Sequence, residues 1–197
     1  MKINTKIILS ILLIFALLIL LAGCLPGLTP PVTPPEVGDS YGGGIVAYIL
    51  QSGDPGYISG QTHGLIAATA DQSTGCAWSN ITTILIGTTG TAIGTGLANT
   101  TAIIGQSGHT SSAAKVCYDY SVTVDSVTYD DWFLPSRDEL NKLWINRVAI
   151  GGFDNVIYWS SSEGNNIAAW LQVFSNNYNH FPSTKYSTLW VRAVRSF

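Results

Sequence analysis

Charge is what this chain of 197 residues has least of, with Asp, Glu, Lys and Arg together at 11 %. Nine basic residues against twelve acidic ones, net −3, form no stripe that could follow a phosphate backbone, which argues against a nucleic-acid partner. Cysteine is scarce too, at three residues. None sits in a C-x-x-C or H-x-x-x-H spacing, so neither a metal nor a cofactor is expected. The glycine run Gly42, Gly43, Gly44 lacks the Lys-Ser or Lys-Thr pair and the helix signal that would make it a phosphate loop. What remains is abundant: 46 % hydrophobic and 11 % aromatic residues exclude disorder, and 20 Gly with 8 Pro point to a loop-rich fold. The length suits one ordinary domain with a real core.

The amino-terminal segment is apolar for a different reason. Lys2 and Lys6 precede an apolar run from Ile7 to Leu21 that is broken only by Ser10. This is the layout of a secretory signal, the alternative being an uncleaved membrane helix. Leu21-Ala22-Gly23-Cys24 resembles the lipobox of prokaryotic lipoproteins. The resemblance implies a signal peptide over 1–23, lipidation of Cys24, and a chain tethered to the membrane at the cell surface, outside the cytoplasm. Loss of 1–23 removes two lysines and no acid, so lipid rather than a basic patch must hold the protein there. Residues 24–38 carry Pro26, Pro30, Pro31, Pro34 and Pro35 and read as a stalk, about 40 Å long at ~3.1 Å per residue in polyproline II.

The domain proper is expected over 39–197. Gly42 to Leu50 reads as a strand entered through glycines, and His63 to Ala68 as its hairpin partner across the turn-rich Gln51–Gln61. Residues 82–98, rich in Thr and Gly, give no clear assignment. Asn99 is expected to cap a short helix running to Ile104, and Ser111 or Ser112 to start another carrying Ala113, Ala114, Val116, Cys117 and Tyr120. Ser136 and Glu139 have capping-box spacing ahead of a helix with Leu140, Leu143 and Trp144 on one face, and Gly151-Gly152 ends that region. In an oxidising compartment Cys76 and Cys117 are expected to form a disulfide, worth roughly 3–4 kcal/mol through the loop of about 40 residues that it closes. The alternative, a zinc site adding His63 and His109, lacks ligand spacing.

Three motifs then carry a family resemblance. Asp131-Trp132-Phe133-Leu134-Pro135-Ser136-Arg137-Asp138-Glu139-Leu140 resembles the DW-x-LP-[ST]-x-x-EL signature of prokaryotic C-type-lectin-like domains. Tyr158-Trp159-Ser160-Ser161-Ser162-Glu163 is similar to its YWSS-[ST]-E strand, and Val191 to Phe197 to its VRAVR-x-F terminus. The ensemble resembles the variable proteins of diversity-generating retroelements, in which a reverse transcriptase rewrites the 3′ end of the gene at template adenines. The resemblance implies an α+β, C-type-lectin-like fold: short helices around small antiparallel sheets. It also implies a variable region over about 164–190.

The residues of that region bear on the same point. Trp170 and Phe174 are expected to point inward, Leu171 and Val173 outward. From Asn176 to Ser187, Tyr and Phe stand among Asn, Ser and His with no helix or strand period, a paratope-like mixture of rigid aromatics and adaptable polar groups. An Asn codon mutated only at its adenines can reach Gly164, Ile167, Leu171, Val173, Ser175, Tyr178, His180, Phe181, Pro182, Ser183, Tyr186, Ser187, Thr188 and Leu189. It cannot reach Trp170, Gln172 or Lys185, which are expected to be scaffold. Trp190 stands where relatives of the family often have Arg, one adenine change away, and joins the variable set.

The expected function is therefore a non-enzymatic, surface-displayed receptor or adhesin. Its partner would be an unidentified protein or glycan on another cell or virus. Two alternatives share the broad fold. Sulfatase-modifying, formylglycine-generating enzymes use reactive cysteines, but Cys76 and Cys117 lie upstream of the motifs and do not match. Calcium-dependent sugar lectins carry Glu-Pro-Asn and Trp-Asn-Asp motifs, which this sequence lacks.

Overall fold

The computed structural model describes residues 33–175 and 179–197. The expected signal segment 1–23, Cys24 and most of the stalk at 24–38 lie outside the described residues, as does Tyr178. The chain divides after Pro34, and the elements below belong to the unit Pro35–Phe197. This unit is α+β, built from small, mostly antiparallel sheets with a few short helices.

The first sheet follows from the glycine-entered hairpin. Strand β2 (Gly44–Ile49) pairs with β3 (Gly64–Ala67), with β1 (Ser40–Tyr41) on one side and the carboxyl-terminal β11 (Val194–Ser196) on the other. The glycines serve approach rather than phosphate: a Cβ on Gly43 would meet Tyr129 Cδ2 at 2.7 Å and Val122 Cγ1 at 2.9 Å. Those two side chains belong to a small hairpin not expected above, β5 (Val122–Val124) with β6 (Val127–Tyr129). Its two-residue turn, Asp125 and Ser126, has positive φ at both positions in place of the usual Asn-Gly signal.

The second sheet has the order β4 (Ser73–Ala77), β10 (Thr188–Val191), β7 (Ile157–Glu163), β8 (Ala168–Val173) and β9 (Asn179–Thr184). Only the β10–β7 junction, Trp190 opposite Tyr158, is parallel. Strand β9 is therefore a sheet edge. One core cluster joins Trp159, Ala169, Leu171 and Val191 of this sheet to Trp78, Ile103, Trp132 and Leu134. The second joins Tyr158 and Phe174 to Leu140 and Leu143, with Ala47, Leu65 and Val194 of the first sheet. The central strands are thus covered on both faces.

Among the described residues four helices fill the gaps. Helix α1 (Gly96–Ile104) begins three residues before the expected cap. Asn99 is instead buried within it, its amide donating to Gly90 O and Ser161 Oγ while its oxygen accepts from Gly90 N. Helix α2 (Ala113–Tyr118) is capped by Ser112, and α3 (Arg137–Ile145) starts at the expected capping box of Ser136 and Glu139. A single turn, α4 (Arg147–Ile150), ends at Gly151 with φ 73°. None of the described helices is long and apolar enough to cross a membrane.

Glu139 does more than cap. It is fully buried, and its two oxygens accept Ser136 N at 2.7 Å and Gly94 N at 2.7 Å. Glu139→Gln keeps one carbonyl acceptor but puts an NH₂, which cannot accept, where even the protonated carboxyl offers a hydroxyl oxygen to the second amide, so it should cost about 1–3 kcal/mol. Burial raises the carboxyl above its ordinary value of 4.5. A raised folded-state pKa contributes stability that is complete below the ordinary value and fades as pH rises through the raised one. Urea denaturation of both proteins across this range should show the wild-type advantage largest in acid.

Cys76 and Cys117, expected as a disulfide, are both free thiols. Cys76 Sγ is engaged on its own strand, 3.3 Å from Ala77 O. Cys117 is wholly buried in α2. Burial pushes both thiols up, and at Cys117 the neighbouring Cys76 adds to the effect. Alkylation of the folded protein followed by peptide mapping should leave Cys117 unlabelled until denaturant is added.

Candidate ligand-binding face at the carboxyl-terminal edge

The recognised motifs build a frame. Ser160, Ser161 and Ser162 of β7 are buried, and each hydroxyl is engaged. Ser160 Oγ donates to Trp170 O at 2.8 Å, Ser161 Oγ accepts from the Asn99 amide at 3.1 Å, and Ser162 Oγ donates to Gly90 O at 2.8 Å. Trp78 Nε1 donates to Ser160 O and Trp159 Nε1 to Cys76 O. Buried polar groups so paired hold their neighbours in one arrangement.

At the end of β7 this frame meets the edge. Glu163 accepts Ile86 N at 3.0 Å and Gly87 N at 2.9 Å, and pairs with Lys185 Nζ at 2.5 Å. The Glu163 and Lys185 side chains are 3 % and 0 % exposed. Lys185 Nζ also donates to Ile84 O at 3.0 Å and lies over the Trp78 ring. Its backbone N donates to Ile167 O at 2.9 Å. One buried ion pair thereby ties together the β7–β8 turn, the turn after β9 and the loop at 84–87.

Around that knot the exposed residues gather. Gly164 lies in the β7–β8 turn, where a Cβ would stand 3.1 Å from Pro182 Cβ of the edge strand. Ile167 is 49 % exposed, Phe181 39 % and Tyr186 69 %, and Pro182 and Thr188 are also exposed. Ser187 Oγ is 2.8 Å from Thr184 Oγ1 and 3.4 Å from Ser183 Oγ. His180 is half-buried, its ring 5.7 Å from Trp170, which is itself half-buried beneath Arg137. Gln172, opposite His180 and Tyr158, is buried with neither amide atom hydrogen-bonded.

Other expected positions are not on this face. Leu171 is 2 % exposed and belongs to the core, opposite Trp159, and Val173 is half-buried against the same cluster. The expectation that they point outward assumed a sheet with one wet face. Trp132, Trp78 and Ile103 cover the face that carries Leu171, and α3 covers the other, so alternation along β8 separates two cores instead of core from solvent. Leu189, opposite Cys76, packs on the first cluster and Trp190 on the second, and both are half-buried. Ser175 is half-buried, with its carbonyl accepting Trp144 Nε1.

Two features escaped the sequence reading. The pairing of Glu163 with Lys185 joins residues 22 apart that carry no spacing signal. The loop bearing Ile84 and Leu85, each 58 % exposed, lies in the stretch that resisted assignment. Its signal was present: no Asp, Glu, Lys or Arg occurs between Asp71 and Lys115. No protein-family model matches the chain, and comparison with curated proteins finds no match.

Proposed function

We propose that this chain is a surface-displayed, ligand-binding variable protein of a diversity-generating retroelement. In this reading it has a C-type-lectin-like domain, tethered through Cys24 and diversified along its carboxyl-terminal edge. One observation carries the reading. Every exposed residue described between 164 and 190 (Gly164, Asn165, Asn166, Ile167, Asn179, Phe181, Pro182, Tyr186 and Thr188) is of a type that adenine mutagenesis of an Asn codon reaches. The unreachable Gln172 and Lys185 are buried in the same span. Diversity placed on the water-facing positions changes what is bound and leaves the frame standing.

Binding follows from complementarity. Phe181, Tyr186 and Ile167 supply apolar and aromatic area that buries on contact, and Asn165, Asn166, Ser183 and Ser187 supply hydrogen bonds around it. Several tethered copies add avidity with no new contact. A thiol-enzyme reading gains no support from Cys117, which is wholly buried and whose thiol burial pushes up.

The test is comparison of the gene among sibling isolates, together with its neighbouring DNA. Differences should concentrate at Gly164, Ile167, Phe181, Pro182 and Tyr186, with Gln172, Lys185 and 191–197 constant, beside a near-copy of the 3′ end and a reverse-transcriptase gene. Variation spread evenly over 39–197 overturns the proposal. Phe181→Ala and Tyr186→Ala should each change stability by no more than about 0.5–1 kcal/mol in denaturant melts, as expected of exposed positions.

A further inference from the structure

Strand β9 closes one side of the five-stranded sheet, and the hydrogen bonds of β8 decide which of its backbone groups face away from that sheet. Ala168 O accepts Gly164 N at 2.9 Å, Trp170 O accepts the Ser160 hydroxyl at 2.8 Å, and Phe174 N donates to Val156 O at 2.8 Å. The even-numbered residues from Ala168 to Phe174 therefore turn their backbone toward β7. The odd-numbered ones serve β9, as Lys185 N, donating to Ile167 O at 2.9 Å, shows at the end of the ladder. Ala169 stands opposite Ser183, Leu171 opposite Phe181 and Val173 opposite Asn179. By alternation the backbones of His180, Pro182 and Thr184 form the outward row. Pro182 is at its centre and has no N–H to give.

The other boundaries of the two larger sheets are closed by different means. In the first sheet β1 is two residues long, and β11 is bridged by Phe133, whose N donates to Val194 O at 2.8 Å. At the far side of the second sheet an extra residue interrupts β4 between Ser73 and Cys76, and Gly75 N turns back to Ser73 Oγ. Short, covered and bulged edges do not template another strand. Strand β9 has none of these devices. It is six residues long and in unbroken register, Phe181 is exposed on it, and among the described residues no strand lies beyond it.

We propose that Pro182 guards this edge, and that the residue at 182 decides whether two copies of the chain pair through β9. Two copies related by a two-fold axis bring their outward rows together antiparallel, with 182 facing 182 and 180 facing 184. Residues facing each other in this way exchange both N–H···O bonds. Proline at the axis removes both of those bonds at once and brings two rings together at the closest approach. Charge favours a second copy as the occupant once the guard is gone: no Asp, Glu, Lys or Arg lies in 179–184, so the strand meets its own image without like-charge opposition. The inference goes beyond the reading of the edge as a ligand face and stands on the sheet geometry alone. Where that reading also holds, one position sets both contact and assembly.

The experiment compares the full chain in nonionic detergent as wild type, Pro182→Thr, Pro182→Ala, and Pro182→Thr combined with His180→Pro. Sedimentation equilibrium reads association, and hydrogen exchange reads the new amide at residue 182. Pro182→Thr and Pro182→Ala should dimerise about tenfold or more tightly than wild type, because each restores the central donor. The residue 182 amide should be protected in the dimer and exchange freely on dilution. Returning a proline to the outward row with His180→Pro should bring association back to the wild-type level. Pro182→Ala, which keeps the Cβ beside Gly164, holds the test open if Pro182→Thr does not fold. If the combined variant does not fold, exchange at residue 182 decides. Sedimentation of both single variants with wild type overturns the proposal. So does a dimer that survives His180→Pro or leaves the residue 182 amide unprotected, since such a dimer forms elsewhere.

Discussion

Lys185→Met should lower the stability of the domain by about 3–5 kcal/mol, the loss expected when one member of a buried ion pair is removed. For a domain of this size that is a fall in Tm of roughly 10 °C. The methionine fills most of the volume of the lysine stem. What it takes away is the partner of a Glu163 carboxylate that is 3 % exposed, together with the donor to Ile84 O and the cation over Trp78. The diagnostic variant is the double substitution Lys185→Met with Glu163→Gln. A neutral amide oxygen still accepts Ile86 N and Gly87 N, and no uncompensated charge remains, so the double variant should recover more than half of the loss. Calorimetry of the four proteins of the cycle checks this. If Lys185→Met alone melted with wild type, the pair would not be what joins the edge to the 84–87 loop.

The second large effect is expected at Arg192, which is buried although it is a guanidinium. It satisfies three groups at once: Nε donates to Asp71 Oδ1 at 2.6 Å, Nη1 to Ala68 O at 2.9 Å, and Nη2 to Gly152 O. Its Cζ lies 4.3 Å from the Phe153 ring centre. Asp71 in turn accepts the Tyr158 hydroxyl, so one cation organises three separate segments against β10. Arg192→Leu should cost about 3–5 kcal/mol, since Asp71 and two carbonyls lose their donor at once. Arg192→Lys should recover less than half, because an ammonium cannot reproduce a planar fork directed at three acceptors. Equilibrium unfolding in urea distinguishes these outcomes. A lysine that fully restored stability would mean that charge alone, not the geometry of the fork, is what Asp71 requires.

Both residues lie within or beside segments that were legible. The carboxyl-terminal run Val191 to Phe197 stood out as a motif, but nothing in it says that Arg192 turns inward while Arg195 stays near the surface with Asp131. Lys185 was set apart only as a residue type that Asn codons cannot reach. The capping box at Ser136, the cap at Ser112 and the β2–β3 hairpin were readable because each is a local contract between residues a few positions apart. Asn99 was misread for the same reason. A capping residue type suggested a helix start, yet its amide is used across the fold on Gly90 and Ser161.

The face itself divides in the same way. Between Asn176 and Ser187, residue chemistry alone marked a mixture of aromatic and adaptable polar groups, and of its described residues Asn179, Phe181, Pro182 and Tyr186 are exposed while Lys185 is buried. Leu171 failed because a period of two says that neighbours part company, not what waits on either side. By itself the sequence determined the local elements, the near absence of charge and the kinds of side chain available for binding, since these depend on near neighbours and composition. Only the tertiary structure decided which face of β8 is dry, that Glu163 meets Lys185, and that the loop at 84–87 stands beside the edge. Each of those depends on which distant segments pack together, and packing between distant segments leaves no period in the chain.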